Sequence, residues 1–195
     1  MPYLVQLLCL ILVVATCLFV VIRPGWRVLL TALLAFYFIQ FVFLFYSTTT
    51  LFAVINLITG WMAAGVLGYS SHRAGLADES HQIKAGTTFR LLSEFFFILI
   101  GFALSRSASY WLTNIPFMAI TAALILILTG VLLLNYYHQS WQVISSLLVF
   151  LAGFELIYYM LESSLLVVML IGLVKMAFAF TGSYVISLRH QDKSS

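Results

Sequence analysis

The chain has 195 residues, 64% of them hydrophobic and 8% charged, with a mean hydropathy of +1.12. Soluble domains carry about 25% charged residues, so these apolar side chains have no aqueous core large enough to hide them, and lipid is the solvent. Its 9 Lys+Arg and 6 Asp+Glu give a formal net charge of +3, and it has 2 Cys; these counts exclude a basic nucleic-acid-binding face, a disulfide scaffold and a large soluble catalytic domain.

A helix that crosses about 30 Å of hydrocarbon needs about 20 predominantly apolar residues. The first such run, Tyr3 to Ile22, stops at Arg23-Pro24-Gly25-Trp26-Arg27, a turn with two cations, a helix breaker and an interfacial Trp. Met1-Pro2-Tyr3 has no positive n-region and the apolar run passes through Cys17, so the segment reads as a first span and not as a cleaved leader. Cys9 and Cys17 lie about 12 Å apart along it, too far for a disulfide, and read as packing residues.

The second span runs from Val28 to Tyr46. Ser47-Thr48-Thr49-Thr50 then interrupts an apolar stretch reaching Tyr69; unbroken, its roughly 42 residues would make a helix about 63 Å long, twice the membrane. A fold-back there creates a third span, Leu51 to Tyr69. Gly60, Ala64 and Gly68 recur on it every four residues, a small-residue ridge for helix packing, with Asn56 one turn earlier as a candidate interhelical hydrogen-bonder.

Residues 70–90 form the one sizeable polar segment, read as a cytoplasmic loop, with His72, Arg73, Asp78, Glu79, His81, Lys84 and Arg90. Its His and acidic residues fit no tight ligand spacing, so no metal is expected. The fourth span covers 88–108; Glu94, four residues after Arg90, is placed at its mouth as half of an exposed i,i+4 pair, and Arg106 is expected to snorkel to the opposite interface. The fifth span covers 117–135 and ends in the aromatic belt Tyr136-Tyr137-His138-Gln139-Ser140-Trp141. Glu162-Ser163-Ser164 divides the remainder into spans 143–161 and 165–188. The expected class is therefore all-α: one integral membrane domain over 1–195 with seven transmembrane helices, and no internal repeat is evident.

On seven crossings, Arg23, Arg27, Arg73, Lys84, Arg90, Arg189 and Lys193 share one side. The positive-inside bias makes that side cytoplasmic and puts the N-terminus outside, in a plasma (inner) membrane. Two charges escape this sorting. Glu155 sits inside span six and Lys175 near the middle of span seven, where an ionisable residue costs about 2.5 to 3.5 kcal/mol and is a functional clue by default. Measured from the turn at Ser163-Ser164, they lie about 12 and 17 Å deep, an offset that a lysine stem bridges. Glu162 is seven residues from Glu155, with Tyr158 and Tyr159 between, which suggests a polar stripe from surface to mid-membrane. Gly172, Ala179 and Gly182 leave a small-residue groove beside Lys175. The candidate proton-path residues are thus Glu155, Lys175, Glu162 and Glu94. A buried pair that only sets helix register is the competing reading.

The four histidines, His72, His81, His138 and His190, fall in loops or the tail, which argues against haem ligation, and HExxH, GxSxG and Walker patterns are missing. No cofactor and no enzymatic activity are expected.

The run Gly153-Phe154-Glu155-Leu156-Ile157-Tyr158-Tyr159-Met160-Leu161-Glu162 resembles the glycine, apolar, glutamate, leucine segment of the K-type small membrane subunit of respiratory complex I and of the related E-type component of hydrogenase-4-like complexes. The resemblance covers the last 45 or so residues. It implies that Glu155 belongs to a central proton-conducting axis and that the partners are other integral membrane subunits. The family's next helix carries a second buried glutamate, whereas this chain carries Lys175 there. Seven spans are closer to the E-type component. The expected function is an integral subunit of an ion-translocating, respiratory-type complex, against a structural or assembly subunit or a small stand-alone transporter.

Overall fold

The computed structural model describes residues 3–23, 25–48, 50–73, 86–137, 139–162 and 164–194, with the side chains of 140 and 189–194 excepted. Loop residues Asp78, Glu79, His81 and Lys84, turn residues Pro24, His138 and Ser163, and the side chains of Arg189, His190 and Lys193 therefore lie outside the described residues.

The described residues form seven α-helices: α1 Tyr3–Ile22, α2 Trp26–Ser47, α3 Thr50–Arg73, α4 Thr87–Trp111, α5 Phe117–Tyr136, α6 Ser140–Leu161 and α7 Leu165–Ser194. All seven are long and apolar enough to cross a membrane, so the chain is an all-α polytopic membrane protein. Each helix starts within a turn of where hydropathy placed it. The breaks use the residues that cannot continue a helix cheaply: Gly25, Gly86 and Pro116 stand in extended conformation before α2, α4 and α5. The polar segment is shorter than 70–90, because α3 continues to Arg73 and α4 begins at Thr87. Ser70 Oγ donates back to Val66 O at 3.0 Å, which satisfies the hydroxyl on its own helix and lets polar residues extend it.

The helices pack as two layers. α1, α2 and α3 lie side by side, as do α5, α6 and α7, and the layers face each other through α1 on α5, α2 on α6 and α3 on α7. α4 packs on α1 and α5 and closes that end. Glycines set the approach within and between layers. A Cβ on Gly130 would lie 2.6 Å from the Phe150 backbone, and one on Gly153 would lie 2.7 Å from Ile127 N, so α5 and α6 touch backbone to backbone. Between layers, Gly172 meets Thr59 and Gly182 meets Leu67. Both residue numbers rise together, so α3 and α7 run parallel. The small-residue groove beside Lys175 is thus filled by α3. The Gly60, Ala64, Gly68 ridge faces α2, where Gly60 abuts the Tyr37 ring and Gly68 faces Leu30.

Candidate functional site

The α2, α3, α6 and α7 quartet holds one polar cluster, to which each helix contributes. Lys175 of α7 and Glu155 of α6 are both fully buried, with Nζ 3.2 Å from Glu155 Oε2. Lys175 Nζ also donates to Asn56 Oδ1 of α3 at 2.6 Å. Asn56 Nδ2 donates to Gln40 Oε1 of α2 at 2.9 Å, and Gln40 Nε2 donates to the Ala152 carbonyl of α6. The chain of bonds therefore leaves α6 at Glu155, crosses α7, α3 and α2, and returns to α6 one turn away. The ammonium stands 4.9 Å from the Tyr37 ring centroid, within cation–π range. Gly60 makes this arrangement possible, because any side chain there would displace the ring.

Three buried oxygens at this cluster have no partner among the described residues: Glu155 Oε1, Tyr37 OH and Tyr159 OH. Both phenols interact electrostatically with Glu155. At 3.2 Å and an effective dielectric near 20, the ion pair attracts by about 5 kcal/mol, while desolvation costs several kcal/mol per ion. Attraction and desolvation nearly cancel, so the pair contributes little net stability. What the cluster supplies is a charged, hydrogen-bonded group held at membrane depth.

A second cluster occupies the α1, α4 and α5 seam. Glu94 of α4 is fully buried, and Thr129 Oγ1 of α5 donates to its Oε1 at 2.7 Å. Cys17 of α1 lies beside both, and Glu94 Oε2 has no partner among the described residues. This corrects the exposed Arg90–Glu94 pair expected from i,i+4 spacing. α4 turns that face inward, Arg90 is only 6% exposed, and its Nη2 donates to Thr87 Oγ1 at 3.3 Å rather than to Glu94. Arg90 also interacts with Tyr137, just beyond α5. Burial pushes the Tyr137 phenol above its ordinary range, against the opposing pull of the guanidinium.

The remaining expectations divide. Glu162 is exposed at the C-terminal cap of α6, its backbone N–H donating to Tyr158 O at 2.9 Å. The stripe expected between Glu162 and Glu155 is broken, because Tyr158 stacks on the exposed Phe154 at 5.7 Å and only Tyr159 turns inward. Arg106 is exposed on α4. Sequence reasoning missed Gln40, Tyr37 and Thr129. Gln40 had a signal, since an amide inside Phe36-Tyr37-Phe38-Ile39-Gln40-Phe41-Val42 is a polar group at membrane depth. Thr129 had none, because a helical threonine ordinarily bonds its own backbone. Among the described residues, no group of three or more His, Cys, Asp or Glu is placed to hold a metal.

Compared with protein-family models, with curated proteins and with solved structures, the chain matches none.

Proposed function

We propose that this membrane protein is an integral subunit of a multisubunit, respiratory-type complex that moves protons or cations. In this reading it lies in the plasma (inner) membrane with its N-terminus outside, and performs no bond-making chemistry of its own. The observation that carries the reading is the fully buried Glu155–Lys175 pair, joined to Asn56 and Gln40 and retaining a carboxylate oxygen without a donor among the described residues. Ionisable groups inside a membrane bundle are costly, and proton relays are among the uses that repay the cost. The resemblance of the Glu155 run to the K-type subunit supports the same role for Glu155. Glu94, whose Oε2 has no partner among the described residues, is a second relay station in the neighbouring seam. Glu162, exposed on the surface, is an entry or exit group in this reading.

The second reading, an assembly subunit whose ion pair only sets helix register, is favoured by the completeness of the Lys175 contacts with α3 and α6. One comparison separates the two. Glu155→Gln alone leaves an uncompensated ammonium, so it tests stability as much as conduction. The double variant Glu155→Gln/Lys175→Met removes both charges. If the pair conducts, the complex assembles normally and ion movement, read by a pH-sensitive dye in sealed vesicles, falls at least tenfold. Unchanged ion movement in the assembled double variant overturns the conduction role and leaves the assembly reading. Isolation of the chain from native membrane without other subunits overturns the complex itself.

A further inference from the structure

The outer seam between α1 and α2 carries a feature that the polar clusters do not use. A groove of about 410 Å³ is lined by Ala15, Thr16 and Phe19 of α1 and by Thr31, Ala32 and Ala35 of α2. We propose that this groove and the α1–α2 turn above it form a binding site for one anionic phospholipid, with an acyl chain in the groove and the phosphate at Arg23 and Arg27.

The groove is apolar although it contains two threonines. Thr16 Oγ1 donates to Leu12 O at 2.7 Å, and Thr31 Oγ1 donates to Val28 O at 2.9 Å. Both hydroxyls are satisfied on their own helices and ask nothing of an occupant. Four of the lining residues lie within about two helical turns of an arginine. Thr16 and Phe19 precede Arg23 by seven and four residues, and Thr31 and Ala35 follow Arg27 by four and eight. On α1 both therefore fall within about 40° of Arg23, on α2 they are rotated about 40° and 80° from Arg27, and all four lie about 6 to 12 Å below their arginine. That is the depth of the upper acyl chain beneath a phosphate group at the interface.

The cations are available for a phosphate. Arg23 and Arg27 are exposed, and neither has a carboxylate partner among the described residues. The Arg27 guanidinium stands 5.2 Å from the Trp26 ring, and Trp is the residue that anchors helix ends at headgroup level. Two cations with no carboxylate partner among the described residues, beside an apolar cleft between helices, suit the charge of an anionic lipid, and each such cation near the surface favours anionic over zwitterionic lipid severalfold.

The full chain reconstituted in phosphatidylcholine vesicles, with traces of spin-labelled phosphatidylglycerol or phosphatidylcholine, tests the site through the motionally restricted lipid signal. The expected result is on the order of tenfold preference for phosphatidylglycerol, lost in Arg23→Gln/Arg27→Gln, whose side chains are exposed and leave the fold intact. Ala35→Phe fills the groove and leaves both arginines; it is expected to remove the restricted phosphatidylglycerol while helix content and melting stay unchanged. Equal restriction of the two lipids in the wild-type chain, or persistence of the preference in the arginine variant, overturns the proposal. Persistence in Ala35→Phe, or displacement of the label by soluble glycerol phosphate, overturns the groove's part and reduces the turn to a nonspecific anion contact.

Discussion

Lys175 donates to Asn56 Oδ1 at 2.6 Å, a shorter contact than the 3.2 Å it keeps to the Glu155 carboxylate. The amide of α3 thus shares the ammonium with its counter-ion, and Glu155 Oε1 has no hydrogen-bond partner among the described residues. Lys175 of α7 meets a group from each of three other helices: Asn56 of α3, Glu155 of α6 and the Tyr37 ring of α2.

Single removals at this pair are expected to be more damaging than joint removal. Lys175→Met or Glu155→Leu leaves the other charge buried and uncompensated, a loss of about 3 to 5 kcal/mol. The double variant Glu155→Leu/Lys175→Met is expected to unfold close to wild type, because both desolvation penalties disappear together. Denaturant unfolding in detergent micelles of defined composition checks the order; a double variant as weak as the singles would show that the surrounding bonds, not the charges, carry the stability.

Thr129→Val keeps the shape of the side chain and removes the hydroxyl that donates to Glu94. The expected loss is about 1 to 3 kcal/mol, the cost of leaving a buried acceptor without its donor. Thr129→Ser restores the donor and most of the stability. Equal melting temperatures for the Val and Ser variants would place the role of Thr129 in packing.

The glycines are expected to rank by what their missing side chains would strike. Gly130→Ala and Gly153→Ala meet backbone atoms of the neighbouring helix, which have nowhere to move, and each loses about 1 to 3 kcal/mol or more. Gly60→Ala strikes the Tyr37 ring, so adding Tyr37→Leu is expected to recover part of the loss while removing the cation–π contact. Gly65 has nothing within 4 Å, and Gly65→Ala should melt at or slightly above wild type. Thermal unfolding of the four glycine variants and the Gly60→Ala/Tyr37→Leu double variant in one detergent tests the ranking and the recovery.

Cys9 and Cys17 are free and buried, at 3% and 0% exposure. A membrane-permeant maleimide is expected to leave both unmodified in the folded bundle and to label both after unfolding in dodecyl sulfate, with mass spectrometry as the readout. Rapid labelling of Cys17 in the folded protein would mean that the α1, α4 and α5 seam opens around Glu94.

The helices, their breaks and the lipid solvent are local properties, and the sequence determined them by itself. A run of about 20 apolar residues has to span or be buried, and Gly25, Pro116 and the Ser47-to-Thr50 polar patch mark where it ends. Glu155 and Lys175 stood out for the same reason, since a charge in such a run is visible without any fold. Their distance along the turn even placed them opposite each other. Partner choice is different in kind, because it depends on how each helix is rotated about its axis and which helix lies beside it. Spacing alone put Glu94 with Arg90; tertiary packing turned α4 inward and gave Glu94 to Thr129 on another helix. In the same way only the packing of α3 against α7, through Gly172 and Gly182, brought Asn56 to Lys175 and carried the hydrogen bonds on to Gln40. Hydropathy averages over a turn and is blind to that rotation, which close contact between helix surfaces decides.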